Sequence, residues 1–341
     1  MTASHVRIVG PASAAANNGN WQTMARWAKC LHARYRVTRV DGSDLAAATA
    51  DPPPDLLIAL HARRSAAVMA TAAERWPQVP RVLVLTGTDV YHDIHHDDTA
   101  RCALAQATQL VVLQAGALSQ LNEHLRGKAH VIHQSARSLQ PVKHPASPRR
   151  LHAIMVGHLR AEKDPMTFLA AGALLPPTLF WFTHIGGALD PALAARARAQ
   201  MQSNPHYRWL GSLPHARTRQ YLKRAHVMVI SSIMEGGANV IIEALTSGVP
   251  VLASDISGNR GLLGDDYAGY FAVGDAAGLA ALLQRCRDDP VWFDRLRTQC
   301  QLRSVLFSPQ FEQAALLRLV DNCLRHAPTP SSITHRISGL K

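Results

Sequence analysis

The chain has 341 residues, 47% of them hydrophobic, and a formal net charge of +12 at neutral pH. That length exceeds one ordinary domain and predicts two, each of roughly 150 residues. No run approaches the ~18 apolar residues of a membrane span, and five scattered cysteines without C-x-x-C spacing argue against a disulfide frame or a zinc site.

The positive charge divides into +7 over residues 1–150 and +5 over the remainder. A basic balance suits anionic small molecules, a membrane surface or nucleic acid. Here arginines are spread through many helices, and aromatics, at 6%, are not interleaved with them as stacking platforms require. Nucleic acid is therefore not an expected partner, and neither is a stable membrane association. The reduced thiols imply a cytoplasmic protein.

The opening MTASHVRIVG reads as a first strand and not as a signal peptide. Short apolar runs then alternate with amphipathic stretches to the end of the chain, the pattern of parallel α/β sheets. In the first half the strands are HVRIVG, YRVTRV, DLLIAL, RVLVLT, QLVVL and AHVIH. Helices are expected over residues 21–35, with Trp21, Met24, Ala28, Leu31 and Tyr35 on one buried face, and over 65–76, 99–107 and 115–125. HDIHHDD, residues 92–98, reads as a solvated loop, with no metal site assigned anywhere.

QPVKHPASPRR, residues 140–150, holds three prolines without periodicity and is expected to link the domains. A second series follows: LHAIMVG, a helix over 164–175, TLFWFTHIG, a helix over 191–204, YRWLG, a short helix at 221–224, VMVIS, VPVLAS and YFAV. Residues 276–303 read as helical, and a last helix over 310–325 is expected to cross back onto the first domain. The expected domains are thus 1–145, joined by 310–325, and 150–305, with 327–341 a disordered polar tail.

The most informative segment is EGGANVIIEALTSGVPVLAS, residues 235–254. Two carboxylates, Glu235 and Glu243, bracket a glycine turn that runs into a short apolar helix and then a strand. Gly236 and Gly237 permit close backbone approach and unusual dihedrals, and the free amides of a helix start make an anion site. Hydroxyl-accepting carboxylates beside such an end describe a nucleotide-sugar pocket. At the first strand end of the second half, GHLRAEKDP places Arg160 and Lys163 where open α/β sheets bind ligands. Two fixed cations there neutralise a departing diphosphate.

In the first half three strand ends are polar: His61, Arg63 and Arg64 after DLLIAL, Thr86, Gly87, Thr88 and Asp89 after VLVL, and Gln134 and Ser135 after VIH. Gly19, Asn20 and Thr23 open the first helix after strand one. GxGxxG is absent, so no dinucleotide cofactor is implied.

At these residues the chain resembles a retaining-type GT4 glycosyltransferase of the GT-B fold, two Rossmann-like domains with parallel sheets facing across a cleft. The family's E-x7-E element matches Glu235 and Glu243, and its cation pair matches Arg160 and Lys163. The resemblance implies that Glu243 holds the ribose and that Glu235 lies by the sugar. Gly236, Gly237, Ala238, Asn239 and Val240 would line the donor site, and no metal or cofactor would be used.

A narrower resemblance extends from about residue 6 to 325. GNWQTMARW, DLLIALHARRSAA, VLTGTDVYHDI, HLRAEKDP, HIGGALDP, NPHYRWLG, MEGGANVIIEA and GNRGLLGDDYAGYF are similar to the selenosugar synthases of selenoneine biosynthesis. Only PASAAANNGN departs from the family's opening. The resemblance implies a UDP-sugar donor, typically UDP-N-acetylglucosamine, and selenophosphate as acceptor, giving a 1-selenosugar, UDP and phosphate. His61 would join the catalytic set, and Gly19, Asn20, Thr23, Arg63, Arg64, Thr86, Thr88 and Ser135 would receive the acceptor. A selenium nucleophile is already anionic near neutral pH and needs little general base, in keeping with Asp89 as the one evident carboxylate there. The alternatives are a GT4 transferase with a hydroxyl acceptor, at a membrane surface, and a non-catalytic sugar-nucleotide or nucleic-acid binder. The sequence leaves the oligomeric state and the donor sugar open.

Overall fold

The computed structural model describes residues 3–11, 19–145 and 148–326. The expected tail over 327–341, most of the PASAAANNGN segment and residues 146–147 of the expected linker lie outside them. The chain divides into two compact units, one running to His133 and resuming at Gln310, the other spanning Gln134–Pro309.

The first unit holds a six-stranded parallel sheet of β1 (His5–Gly10), β2 (Arg36–Asp41), β3 (Leu56–Leu60), β4 (Arg81–Leu85), β5 (Gln109–Val112) and β6 (Ala129–Val131), in the order β2-β1-β3-β4-β5-β6. The second holds β7 (Leu151–Val156), β8 (Phe180–Ile185), β9 (Tyr207–Trp209), β10 (Val227–Ile230), β11 (Val251–Ser254) and β12 (Tyr270–Phe271), in the order β12-β11-β10-β7-β8-β9 and again parallel. LLIAL and, after Arg81, VLVL are buried on both faces, which is why they read as unbroken apolar runs and not as alternating ones.

The first helix runs Gly19–Leu31 and buries Thr23, Met24, Trp27, Ala28 and Leu31. Its inward aromatic is Trp27, whose indole N–H donates to Glu312 at 2.8 Å, whereas Trp21 lies with the Arg39 guanidinium 5.1 Å from its ring centroid. The helix stops short of the expected Tyr35, whose hydroxyl donates to Asp321, and burial followed by that bond pushes the phenol up to about 12. The helix expected over 115–125 is instead a 3-10 stretch, Ala115–Gln120, and a separate turn, Glu123–Arg126. Asn122 breaks it by turning its side chain to cap the second piece through the Leu125 N–H at 3.0 Å. Tyr221–Arg224, expected as a short helix, is the end of a longer one, His215–Lys223.

Residues 134–145 carry no helix or strand yet pack on the second unit. The Ala136 N–H donates to the Phe307 carbonyl at 3.3 Å, Leu139 N–H to Thr246 at 2.9 Å, and buried Arg219 to the Arg137 carbonyl at 3.0 Å. These bonds precede the expected linker, residues 140–150, within which the His144 ring lies 4.1 Å, centroid to centroid, from that of His226. In the first unit Glu312, 2% exposed, meets Arg26 at 2.7 Å and Trp27, so the C-terminal helix Pro309–Arg325 is tied to the first helix. No described helix is long and apolar enough to cross a membrane.

Three histidines of the second unit give it an acid-sensitive core. Burial pulls His152, His184 and His226 down to about 4 from the ordinary 6.5. These groups stay neutral in the folded chain while the unfolded chain takes up protons below pH 6.5. Stability is therefore unaffected above that value and falls as pH drops toward 4, the loss levelling off once the folded rings protonate as well. Urea midpoints measured between pH 7.5 and 4.5 are expected to fall in that window, and a flat profile contradicts the burial of these rings.

Candidate functional site

From β7 the second unit's chain winds outward through β8 and β9, then returns to build β10, β11 and β12 on the other side. The loops leaving β7 and β10 therefore diverge at the carboxyl edge, the place where open α/β sheets bind ligands. Those loops, residues 157–164 and 231–238, are the two the sequence singled out.

Local chemistry locks the first loop. Asp164 adopts a left-handed backbone (φ 40°) and caps the helix Pro165–Ala173, accepting from Thr167 N–H at 3.3 Å and from its hydroxyl at 2.5 Å. Pro165 occupies the first helical turn, where its missing N–H costs nothing. The second loop is stitched to the first: Ser231 Oγ donates to the Asp164 carbonyl at 2.7 Å, and Ile233 N–H to the Glu162 carbonyl at 2.9 Å.

This stitching brings Lys163 against Glu235. The lysine Nζ donates to Glu235 Oε1, which also accepts from Ser232 Oγ at 2.6 Å, and both charged side chains are largely buried. The sequence reading gave these residues separate partners, diphosphate and sugar; the structure makes them a pair. Arg160 stands apart, its side chain 43% exposed and its Nε 3.9 Å from Glu162.

Glu235 leads into Gly236, Gly237 and Ala238, and the helix Asn239–Leu245 begins there. Ala238 is the N-cap and offers no capping side chain, and among the described residues no acceptor is bonded to the amides of Gly236 to Val240. The unusual dihedrals expected at Gly236 and Gly237 are absent: neither has a positive φ. The glycine that close approach requires is Gly258, where a Cβ would lie 1.8 Å from the Glu235 carbonyl oxygen. Glu243, inside the helix, accepts from or shares a proton with His215 Nε2 at 2.6 Å, and His215 was not singled out in the sequence. Below them Arg219 donates to Ser247 Oγ at 2.8 Å and to the Glu243 carbonyl at 3.4 Å, holding that helix's C-terminal turn.

The first sheet reverses between β1 and β3, and His61 stands at the end of β3. Its backbone is left-handed (φ 73°), a strained state for a non-glycine residue and a feature of functional sites. Its ring is 3% exposed, with Nε2 3.2 Å from Thr88 Oγ1 and the Asp89 and Asp93 carboxylates each 3.9 Å from a ring nitrogen. Burial lowers its pKa more than the carboxylates raise it, so the ring is neutral near pH 7.

Asp89 is not an available base. Its fully buried carboxylate accepts from the amides of Ala62, Thr86 and Gly87, at 3.0, 2.9 and 2.6 Å, and so closes the loop after β4. Asp93, missed in the sequence, faces His61 and takes the Arg63 Nε at 3.3 Å. Arg64 is exposed. Thr23, expected to face a ligand, is 1% exposed and donates to the Gly19 carbonyl at 2.9 Å within its own helix, while Gly19 and Asn20 form that helix's first turn. Ser135, grouped with the first domain in the sequence, falls in the second unit. HDIHHDD is helical turn and cap: Asp97 accepts from Thr99 N–H at 2.8 Å, and among the described residues no group of three or more His, Cys, Asp and Glu is placed to hold a metal ion. All five cysteines are unpaired; Cys286, Cys300 and Cys323 are buried, and Cys102 is exposed.

Residues 137–301 match the family described as Glycosyl transferases group 1. Glycosyltransferase 1 domain-containing protein 1 of Xenopus tropicalis is 24% identical over 208 residues, 54% of this chain and 60% of that protein. The Escherichia coli UDP-Gal:alpha-D-GlcNAc-diphosphoundecaprenol alpha-1,3-galactosyltransferase is 28% identical over 149 residues, 40% of this chain and 36% of that enzyme. The matched region thus spans less than two thirds of the length of these relatives. Among solved structures, sucrose-phosphate synthase of Thermosynechococcus elongatus superposes with a TM-score of 0.79 at 18% identity, covering 94% of this chain and 99% of that one. Anabaena Alr3699/HepE in complex with UDP-glucose gives 0.75 at 15% identity, covering 94% and 100%. The fold is that of the GT-B glycosyltransferases, and the match to the group 1 family falls within the second unit.

Proposed function

We propose, starting from that group 1 match, that the protein is a glycosyltransferase taking a UDP-sugar as donor and selenophosphate as acceptor. The single observation that carries the donor reading is the buried Lys163–Glu235 pair, set at the sheet's switch point beside the unbonded amides of Gly236 to Val240. A nucleoside diphosphate supplies what that arrangement lacks: phosphate oxygens for the amides and for the cations Lys163 and Arg160, and sugar hydroxyls for Glu235. Glu243, held by His215, is assigned the ribose. HepE was solved with UDP-glucose, and the Escherichia coli relative is named for a UDP-galactose donor, which supports a UDP-sugar here.

The acceptor is assigned to the first unit. His61, Arg63, Arg64, Thr86 and Thr88 give it hydroxyls, a neutral imidazole and positive charge, suited to a small polyanion. Asp89 is not free to serve as base for a hydroxyl acceptor, since three amides saturate it, and Asp93 lies 3.3 Å from the Arg63 Nε. Selenium attacks the anomeric carbon with its lone pair as the C1–O bond to UDP breaks, and the bonding electrons leave on the diphosphate. Water then takes the phosphoryl group, freeing phosphate and the selenol. The chain's likeness to the selenosugar synthases supports this acceptor, and the unpaired cysteines fit a cytoplasmic setting.

Two outcomes follow. Glu243→Ala is expected to weaken UDP binding about tenfold or more in calorimetry, and an unchanged affinity removes it from the ribose. Because Lys163 and Arg160 are assigned the leaving-group charge, EDTA is expected to leave turnover intact; loss of activity rescued by Mg²⁺ overturns that assignment.

A further inference from the structure

A histidine outside the roles assigned so far stands at the same strand end. His158 directly follows Gly157 at the exit of β7, and its Nδ1 accepts the backbone N–H of Gly187 at 2.9 Å, from the loop leaving β8. A nitrogen that accepts an amide proton carries a lone pair, so the mobile proton of the neutral ring is on Nε2. Main chain on both sides keeps this geometry. The Leu159 N–H donates to the Gly187 carbonyl at 2.8 Å, Gly157 N–H to Ile185 at 2.8 Å, and a Cβ on Gly187 would come within 3.2 Å of His158 Nδ1 and 2.9 Å of Ser212 Oγ. The ring is thus held at one nitrogen by a backbone amide whose residue packs tightly against it and Ser212.

The other nitrogen is unused. Among the described residues no group hydrogen-bonds Nε2, and it is not one of the buried unpartnered atoms, so the N–H is presented to solvent. It stands in a positive field: burial, then the charges of Arg160 and Lys163, hold the imidazole below its ordinary pKa, and the stem of Lys163 lies 3.6 Å from where a Gly157 side chain would start. Buried His184, a second histidine at this edge, donates its Nε2–H to the Gly157 carbonyl at 3.0 Å and is itself kept neutral.

We propose that His158 is a substrate-binding residue: a neutral, pre-oriented donor whose Nε2–H takes a phosphate oxygen of the nucleoside diphosphate between Arg160 and Lys163. This rests on the donor reading above and extends it to a further group. A neutral donor adds directionality without a third cation that would have to be desolvated beside the other two, and it costs no reorganisation because Gly187 holds the ring in place.

The test combines binding with a direct view of the ring, using the full chain with UDP-N-acetylglucosamine, whose phosphates do not titrate near neutrality. With ¹⁵N-labelled histidine, the free protein is expected to show His158 as the Nε2–H tautomer, and the ligand is expected to shift Nε2 and raise the ring's pKa, since a bound phosphate favours the protonated form. His158→Ala is expected to weaken binding about tenfold, while His158→Gln, which places an amide donor near the Nε2 position, recovers most of it. A ring held only for structure would show neither the ligand-induced pKa rise nor the recovery by glutamine. Wild-type binding that His158→Ala leaves unchanged, or imidazole signals blind to the ligand, overturns the inference alone. Absence of nucleotide binding by the wild type overturns the donor reading together with it.

Discussion

Lys163→Ala is expected to lower turnover by about 10²-fold or more, because a charge fixed where the leaving group develops its own acts mainly in the transition state. The lysine is suited to this by its surroundings. Its ammonium is mostly shielded from water, anchored by Glu235 Oε1, and carried on a loop whose last carbonyls are bonded by Ser231. Arrival of a diphosphate gives the ammonium a second anionic partner without requiring it to move far. The substitution leaves Glu235 with Ser232 Oγ as its remaining donor, so some ground-state affinity for the sugar is also expected to be lost. Steady-state kinetics separate the two, with kcat falling more than KM rises. Lys163→Arg is expected to recover only part of the rate, since a planar guanidinium does not occupy the site of a compact ammonium. Near wild-type turnover in Lys163→Ala would place the leaving-group cation elsewhere.

Gly258→Ala is expected to destabilise the second unit by about 1–3 kcal/mol and to remove most donor binding. The added carbon would lie 1.8 Å from the Glu235 carbonyl oxygen, 2.7 Å from its carbonyl carbon and 3.1 Å from its Cβ. Two of those are backbone atoms, so no side-chain rotation relieves the clash. The helix Ser257–Leu263 or the Glu235 loop must retreat. Retreat of the loop breaks the Glu235–Lys163 pair, and retreat of the helix disturbs Asn259, whose side-chain amide donates to the Ser254 carbonyl at 2.9 Å. Urea denaturation reads the first effect and calorimetry with UDP-N-acetylglucosamine the second. A variant matching wild type in both would mean that the helix and the Glu235 loop do not approach this closely.

Much of the fold is legible from strand composition alone. Runs such as LLIAL and VLVL are apolar at every position because both faces of a parallel sheet are covered, and that pattern needs no tertiary information. The loops after β7 and β10 stand out for a related reason, since glycine and charge crowd together there directly after an apolar strand. The pairing of Lys163 with Glu235 was out of reach, because it depends on β10 lying beside β7 and joins residues 72 positions apart. Strand order is a property of the assembled sheet. Asp89 shows a different limit: it is the one evident carboxylate of TGTD, yet three backbone amides consume it, and those amides become visible only once the loop closes. The tautomer of His158 and the burial and positive φ of His61 leave no trace in residue identity. The break at Asn122 did have a signal, an N-cap residue inside an otherwise helical stretch.

The account stands or falls on the product of one reaction. Enzyme, UDP-N-acetylglucosamine and freshly made selenophosphate are incubated together, the products are read by mass spectrometry, and UDP is quantified in parallel. The prediction is a selenium isotope pattern on an N-acetylhexosamine mass that requires both substrates and appears in step with UDP. UDP released without any selenium-bearing sugar would contradict it, leaving a group 1 transferase whose acceptor is something else.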